Sequence, residues 1–159
     1  MNLKYFFLLI TGLVNTFLFA QKNDDQEAFP LSNRLTFYSL DTQQGLSNNI
    51  VKTIEQDSLG FIWIGTSDGL NRYDGADFKI YRRENSMLSN NYIQDVSLNE
   101  AGEIILATDG GLNIYNQRIE KFDLLNNYNP YLRQSINSYE DLGDGTYAVG
   151  AYNQGLLIY

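Results

Sequence analysis

The side chains of this sequence that could do chemistry are carboxylates and amides. Asp57, Asp68, Asp74 and Asp77 fall within one short stretch, and hard cations such as calcium take several carboxylate and carbonyl oxygens. Each of these acids sits in a turn or beside a turn glycine, and their spacing is not that of an EF-hand loop. Structural turns account for them better, and no metal site is expected. The second constellation is Asn48-Asn49 together with Asn90-Asn91. Amides at a strand entrance can meet a polar ligand such as a sugar. They can equally satisfy backbone groups within a turn, which is the plainer reading. Trp63 could stack on a sugar ring, but it stands in the middle of an apolar run and reads as core. No pair of acids recurs in a way that sets two carboxylates across a pocket for glycoside hydrolysis.

What is missing narrows the chemistry further. The 159 residues contain no Cys and no His. Disulfides, thiolate chemistry and zinc–sulfur sites are therefore excluded, and so is a phospho-accepting histidine within this chain. General base chemistry would fall to Tyr, Lys or a carboxylate. No catalytic residue and no cofactor is expected. The net charge is −8 and no basic cluster exceeds Arg82-Arg83, so a phosphate backbone finds no positive face and nucleic acid is not an expected partner.

The elements that must position these residues come in copies. Leu46-Ser47-Asn48-Asn49 returns as Leu88-Ser89-Asn90-Asn91, about 42 residues on. At the same offset Gly60 meets Gly102, Thr66 meets Thr108, Gly69-Leu70-Asn71 meets Gly111-Leu112-Asn113, and Tyr73 meets Tyr115. A third copy follows with Ile136, Gly145, Gly155-Leu156 and Tyr159 in the corresponding places. Within a copy the pattern is one of short strands. Val51 and Ile54 mark the first. Phe61-Ile62-Trp63-Ile64 is an apolar run suited to a strand covered on both faces. Leu70–Tyr73 follows the Asp68-Gly69 turn, and Phe78–Tyr81 the Asp74-Gly75 turn. In Phe78–Tyr81 the alternation predicts Phe78 and Ile80 inward, Lys79 and Tyr81 outward. Lys121–Leu124 takes this last place in the second copy.

Four strands per copy of this length is the period of a β-propeller blade. The fold expected is all-β, about three four-stranded antiparallel blades in an incomplete ring, since propellers have typically four to eight. Blades are expected at about 45–82, 87–125 and 131–159, with 35–40 as an orphan outer strand. An open arc leaves apolar faces and sheet edges at its two ends.

The first twenty residues are a different object. They hold one base, Lys4, and no acid, and from Tyr5 to Ala20 they are mostly apolar. A basic start, an apolar middle and a small residue before a polar stretch is the layout of a signal peptide. Tyr5–Ala20 is shorter than the ~20 apolar residues that span a bilayer. Residues 1–20 are read as a signal peptide cleaved between Ala20 and Gln21, residues 21–34 as a linker, and residues 35–159 as the repeats. The mature chain then has no transmembrane segment and is periplasmic.

The first copy, Gly45-Leu46-Ser47-Asn48-Asn49 with Gln56–Gly75, resembles the two-component regulator propeller repeat. The second copy departs at Ile105 and Ala107, where the first has Trp63 and Gly65. That repeat builds the periplasmic sensor region of hybrid two-component sensor kinases, found especially in Bacteroidetes. The resemblance implies a non-catalytic sensing segment that binds a carbohydrate or other small ligand, with Asn48, Asn49, Asn90 and Asn91 as candidate contacts. It implies further blades and a kinase of a longer parent as partners. A secreted propeller enzyme, lyase-like, and a secreted interaction module are the competing expectations.

Overall fold

The computed structural model describes residues 37–125 and 132–159. The signal peptide expected at residues 1–20, its expected cleavage between Ala20 and Gln21 and the linker expected at 21–34 lie outside the described residues. The chain divides into two units, Met1–Tyr38 and Ser39–Tyr159, and the second holds the sheets. Its first sheet contains β1 (Val51–Gln56), β2 (Ile62–Thr66), β3 (Gly69–Tyr73) and β4 (Phe78–Tyr81). A single helical turn, α1 (Arg83–Ser86), leads to the second sheet. That sheet contains β5 (Ile93–Leu98), β6 (Ile104–Thr108), β7 (Gly111–Asn116) and β8 (Lys121–Leu124). The third holds β9 (Ile136–Gly143), β10 (Thr146–Ala151) and β11 (Gly155–Ile158).

Every sheet is an antiparallel meander in chain order. Successive strands pair because each connection is a tight turn whose residues can take the backbone it needs. Thr66 faces Gly69 across the β2–β3 turn, and Gly69 has φ +118°, a conformation open to glycine and strained for other residues. The three sheets lie face to face in sequence and form no closed barrel. The fold is all-β and propeller-like.

Two cores result, one in each seam between sheets. Trp63, Leu70 and Tyr81 of the first sheet pack against Ile93, Val96, Leu106, Tyr115 and Phe122 of the second. Ile105, Ala107 and Leu112 of the second pack against Ile136, Tyr139, Val149 and Ala151 of the third. Side chains alternate across a strand, so each sheet gives one face to the sheet before it and one to the sheet after.

Two expectations change. Of the orphan strand foreseen at 35–40, residues 37–40 are described and form no strand. Local bonding ends any extended run there: Asp41 N–H donates to Gln44 Oε1, and Asp41 O accepts from Gln44 and Leu46 N–H, which folds a turn. The alternation in β4 also runs the other way. Tyr81 is buried, while Phe78 and Ile80 are only half-buried. The Lys79–Tyr81 face is the one turned to the second sheet, where Tyr81 meets the Phe122 ring edge-on at 5.5 Å.

Candidate functional site

The asparagine pairs stand where the chain enters β1 and β5, and they do the same backbone work in both copies. Asn48 Oδ1 accepts from Ile50 N–H at 2.7 Å, and Asn90 Oδ1 from Tyr92 N–H at 2.9 Å, two residues on in each case. Asn49 Oδ1 accepts from Thr42 N–H at 2.9 Å, and Asn91 Oδ1 from Arg83 N–H at 2.8 Å. Asn91 O also accepts from Gly69 N–H at 2.7 Å, so this residue ties the second sheet to the β2–β3 turn of the first. The carbonyl oxygens of all four amides are thus spent on main-chain donors.

A second polar set, not singled out from the sequence, sits directly beneath them. Asn71 and Asn113 are fully buried, as are Thr66 and Thr108. In the first sheet Asn71 Nδ2 donates to Ser47 Oγ at 2.8 Å, and Thr66 Oγ1 donates to Gly69 O at 2.8 Å. Ser47 and Thr66 are 2.9 Å apart. With the Thr66 proton committed to Gly69, the Ser47 hydroxyl must donate to Thr66, which gives a directed chain from amide to hydroxyl to hydroxyl to carbonyl. The second sheet repeats it through Asn113, Ser89, Thr108 and Gly111. The third sheet has Ala151 and Leu157 at the corresponding rungs. The signal was present in the repeat itself: Ser, Thr and Asn recur unchanged in the first two copies.

The first strands of the three sheets lie side by side, β1 against β5 and β5 against β9. Each carries a bulge at the same rung, between Val51 and Thr53, between Ile93 and Asp95, and between Ile136 and Ser138. The extra residue is Lys52, Gln94 and Asn137 respectively, on the free edge of its sheet. Bulges re-aim side chains and are common beside binding sites. Around them the polar contacts run from sheet to sheet. The Lys52 ammonium lies 5.1 Å from the centre of the Tyr92 ring. Gln94 Nε2 donates to Asp109 Oδ1 at 2.9 Å, and Ser135 Oγ donates to the same oxygen at 2.7 Å. One rung deeper, Asp95 bridges both neighbours, accepting from Thr53 Oγ1 and from Tyr139 N–H, each at 3.3 Å. Where the clamp residues repeat, this row changes from copy to copy.

A cleft of about 530 Å³ opens elsewhere, between the β1–β2 turn and the β5–β6 turn. Its floor is aromatic. Trp63 Nε1 donates to Asp57 Oδ2 at 2.7 Å, and the Arg72 guanidinium lies 4.5 Å over the Phe61 ring. Arg72 also donates to Tyr115 OH at 3.4 Å and pairs with Glu120 at 3.7 Å. Lys79 and the Arg72 charge together hold the Glu120 carboxyl below its ordinary range, the Lys79 hydrogen bond being the larger cause. Arg72 and Lys79 of the first sheet both pair with Glu120 of the second, which is how charges are accommodated at a packed joint between two sheets.

Of the four acids weighed for calcium, Asp57 caps its own turn through Leu59 and Phe61 N–H, and Asp74 accepts from Ala76 and Asp77 N–H. Those two backbone bonds hold the Asp74 carboxyl below its ordinary range. Asp68 pairs with Arg82 at 3.1 Å. Among the described residues no cluster of three acids is arranged to hold a metal.

The fold and the polar first-strand row define an arc of propeller blades. Residues 45–68 match the family model of the two-component regulator propeller. The chain carries that repeat. Among curated proteins it is 49% identical over 51 residues to histidine kinase P4 of Formosa agariphila, a match covering 32% of this chain and 4% of that protein. Among solved structures it is similar to the extracellular domain of the hybrid two-component system BT3049 of B. thetaiotaomicron. The TM-score is 0.67 at 29% identity, over 76% of this chain and 18% of that one. The extracellular domain of BT4673 from the same organism shares the fold, with a TM-score of 0.66 at 23% identity over 77% of this chain and 18% of that one. The chain thus spans a small part of the length of each. Among the described residues no helix is long and apolar enough to cross a membrane.

Proposed function

We propose that this chain is part of the extracytoplasmic sensing region of a two-component regulator. In this reading residues 35–159 form non-catalytic blades, exported by a signal peptide cleaved between Ala20 and Gln21 into the periplasm. The ligand is a glycan or another small polar molecule, and a kinase is the partner that receives the signal. The observation that carries the reading is the row on the first strands. In a repeat fold the positions that packing dictates recur, as Ser47, Thr66 and Asn71 do. Positions equally placed but different in every blade are free to specify a ligand. Lys52, Tyr92, Gln94, Asp109 and Ser135 supply a cation, an aromatic face, an amide, a carboxylate and a hydroxyl along one edge. That mixture suits a polyhydroxylated ligand, which needs donors and acceptors around an apolar ring face. The amide nitrogens of Asn48, Asn49, Asn90 and Asn91 stand at the end of the same strands and are proposed to donate to it.

The test is a thermal-shift and calorimetric screen of the full chain against laminarin, alginate and pectin oligosaccharides. One of them is expected to raise the melting temperature, with the shift lost in Tyr92→Ala and Asp109→Ala. Absence of any shift across the screen would count against a glycan ligand. Mass analysis of the exported chain tests the other half, with Gln21 expected at the new N-terminus.

A further inference from the structure

The cleft of about 530 Å³ in the first seam has the volume of a small-molecule site. Both its walls are built by the first two sheets. It opens between the β1–β2 and β5–β6 turns, at the far end of β1 from the asparagine pairs and the bulge. A ligand here and one on the first-strand row would therefore not compete. At the rungs where the first sheet pairs Trp63 with Arg72, the second pairs Ile105 with Ile114. The seam between the second and third sheets thus has neither the indole nor the guanidinium.

The lining has an apolar part and a charged part. Phe61, Trp63 and Tyr115 make the floor, and Leu59 belongs to the lining yet keeps 66% of its surface exposed. The charged part sets three carboxylates, of Asp57, Glu103 and Asp123, against the one guanidinium of Arg72. Asp57 is spent on the indole and its own turn, and Arg72 on Glu120, Tyr115 and the Phe61 face. Glu103 and Asp123 are both exposed. Each accepts from a neighbouring amide, Glu103 Oε2 from Asn99 at 2.8 Å and Asp123 Oδ2 from Asn116 at 3.3 Å. Among the described residues neither forms an ion pair. Two carboxylates without a counter-charge, beside aromatic faces and in a chain of net charge −8, attract a cation. A bare metal ion needs several oxygen ligands, and no three acids among the described residues are arranged to supply them. The apolar surface calls instead for a cation that carries a stem.

We propose that this cleft binds a small organic amine, its ammonium against Glu103 and Asp123 and its apolar stem along Leu59 and the Phe61 ring. An alkylammonium keeps its charge far above neutral pH, so the complementarity holds under ordinary conditions.

Trp63 is the single tryptophan of the chain and lines the cleft, so its fluorescence reads occupancy directly. Titration of the purified full chain with cadaverine should change the emission saturably, and calorimetry detects binding that leaves the indole unaltered. Pentanol, which has the stem without the charge, and calcium chloride, which has the charge without the stem, should each give no saturable response over the same range. Glu103→Gln and Asp123→Asn keep an oxygen for Asn99 and Asn116, so far-UV circular dichroism and the ligand-free emission should be unchanged. Each should weaken cadaverine about two- to fivefold, the scale of an exposed ion pair, and raising the salt should weaken the parent further. Leu59→Ser should weaken binding while keeping the salt dependence. Cadaverine that gives neither fluorescence change nor heat overturns the proposal. So does pentanol or calcium binding as tightly as cadaverine, or affinity that survives both carboxylate substitutions.

Discussion

Asn71 holds Ser47 by both ends of its amide. Its Oδ1 accepts from Ser47 N–H and its Nδ2 donates to Ser47 Oγ, each at 2.8 Å, across 24 residues of chain. Asn113 and Ser89 repeat the arrangement at 3.0 and 2.8 Å. This pair fastens the segment leading into β1 to the middle of β3, and so decides where the asparagine pairs and the first-strand bulge lie.

Asn71→Ala should be far more costly than Asn48→Ala. The first leaves buried donors and acceptors without partners and breaks a directed chain of hydrogen bonds, a loss of about 3 kcal/mol. The second removes one exposed turn contact, about 0.5 kcal/mol. Urea unfolding of the two variants checks the contrast through the shift in midpoint at constant slope.

The bond between Trp63 Nε1 and Asp57 Oδ2 makes a second prediction. Asp57 also accepts from Leu59 and Phe61 N–H, so one carboxylate closes the turn and satisfies the indole. Asp57→Ala should cost about 2–3 kcal/mol, since it strands a buried donor. Trp63 is the single tryptophan of the chain, so its fluorescence reports directly on this seam. The variant should melt earlier and emit at longer wavelength, and Asp57→Asn should recover part of the loss.

Gly65 of the first sheet lies directly against Ile93 of the second. A Cβ there would stand 2.6 Å from Thr53 Cγ2 and 2.7 Å from Ile93 Cγ2. Gly65→Ala should cost about 1–3 kcal/mol, because the β-branched neighbours have little freedom to yield. Combined with Ile93→Ala the two costs should be less than additive, a coupling that a double-mutant cycle measures. At the same rung of the second sheet Ala107 is accommodated, which makes the restriction a property of this seam and not of the repeat.

Stability should fall on the alkaline side. Burial pushes the Tyr81 phenol well above its ordinary value of 10.0, and the hydrogen bond with Tyr115 adds to this. Burial does the same for Tyr139, with the Asp141 charge adding. The folded chain holds these protons more tightly than the unfolded chain. Their stabilisation is therefore whole below about pH 10 and is lost as pH rises from there toward the folded-state values. Urea midpoints measured as the pH is raised through this range should drop, and Tyr81→Phe and Tyr139→Phe should each flatten the drop.

The strands were legible in the sequence because what builds them is local. Apolar runs bounded by Asp-Gly turns, recurring with Leu46, Gly60, Gly69 and Tyr73, are enough to predict four short strands per copy and a sheet per copy. The asparagine pairs were legible as repeated polar residues at a strand entrance, and their carbonyl oxygens do bond to the backbone there. What could not be read is partnership at a distance. Tyr81 looks like the wet side of an outer strand in the pattern Phe-Lys-Ile-Tyr, yet it is buried because the second sheet covers that face with Tyr115 and Phe122.

By itself the sequence determined the repeat, the all-β class and the chemistry that a chain without His or Cys cannot perform. Only the tertiary structure decided which polar residues lock together within one sheet and which meet between sheets. Ser47, Thr66 and Asn71 are far apart in the chain and become one clamp because antiparallel register brings their rungs together. Lys52, Tyr92, Gln94, Asp109 and Ser135 become one row because sheets stacked face to face bring their first strands side by side. Strand periodicity is a property of the backbone and is written along the chain. The meeting of side chains from different sheets depends on packing, which residue types alone do not specify.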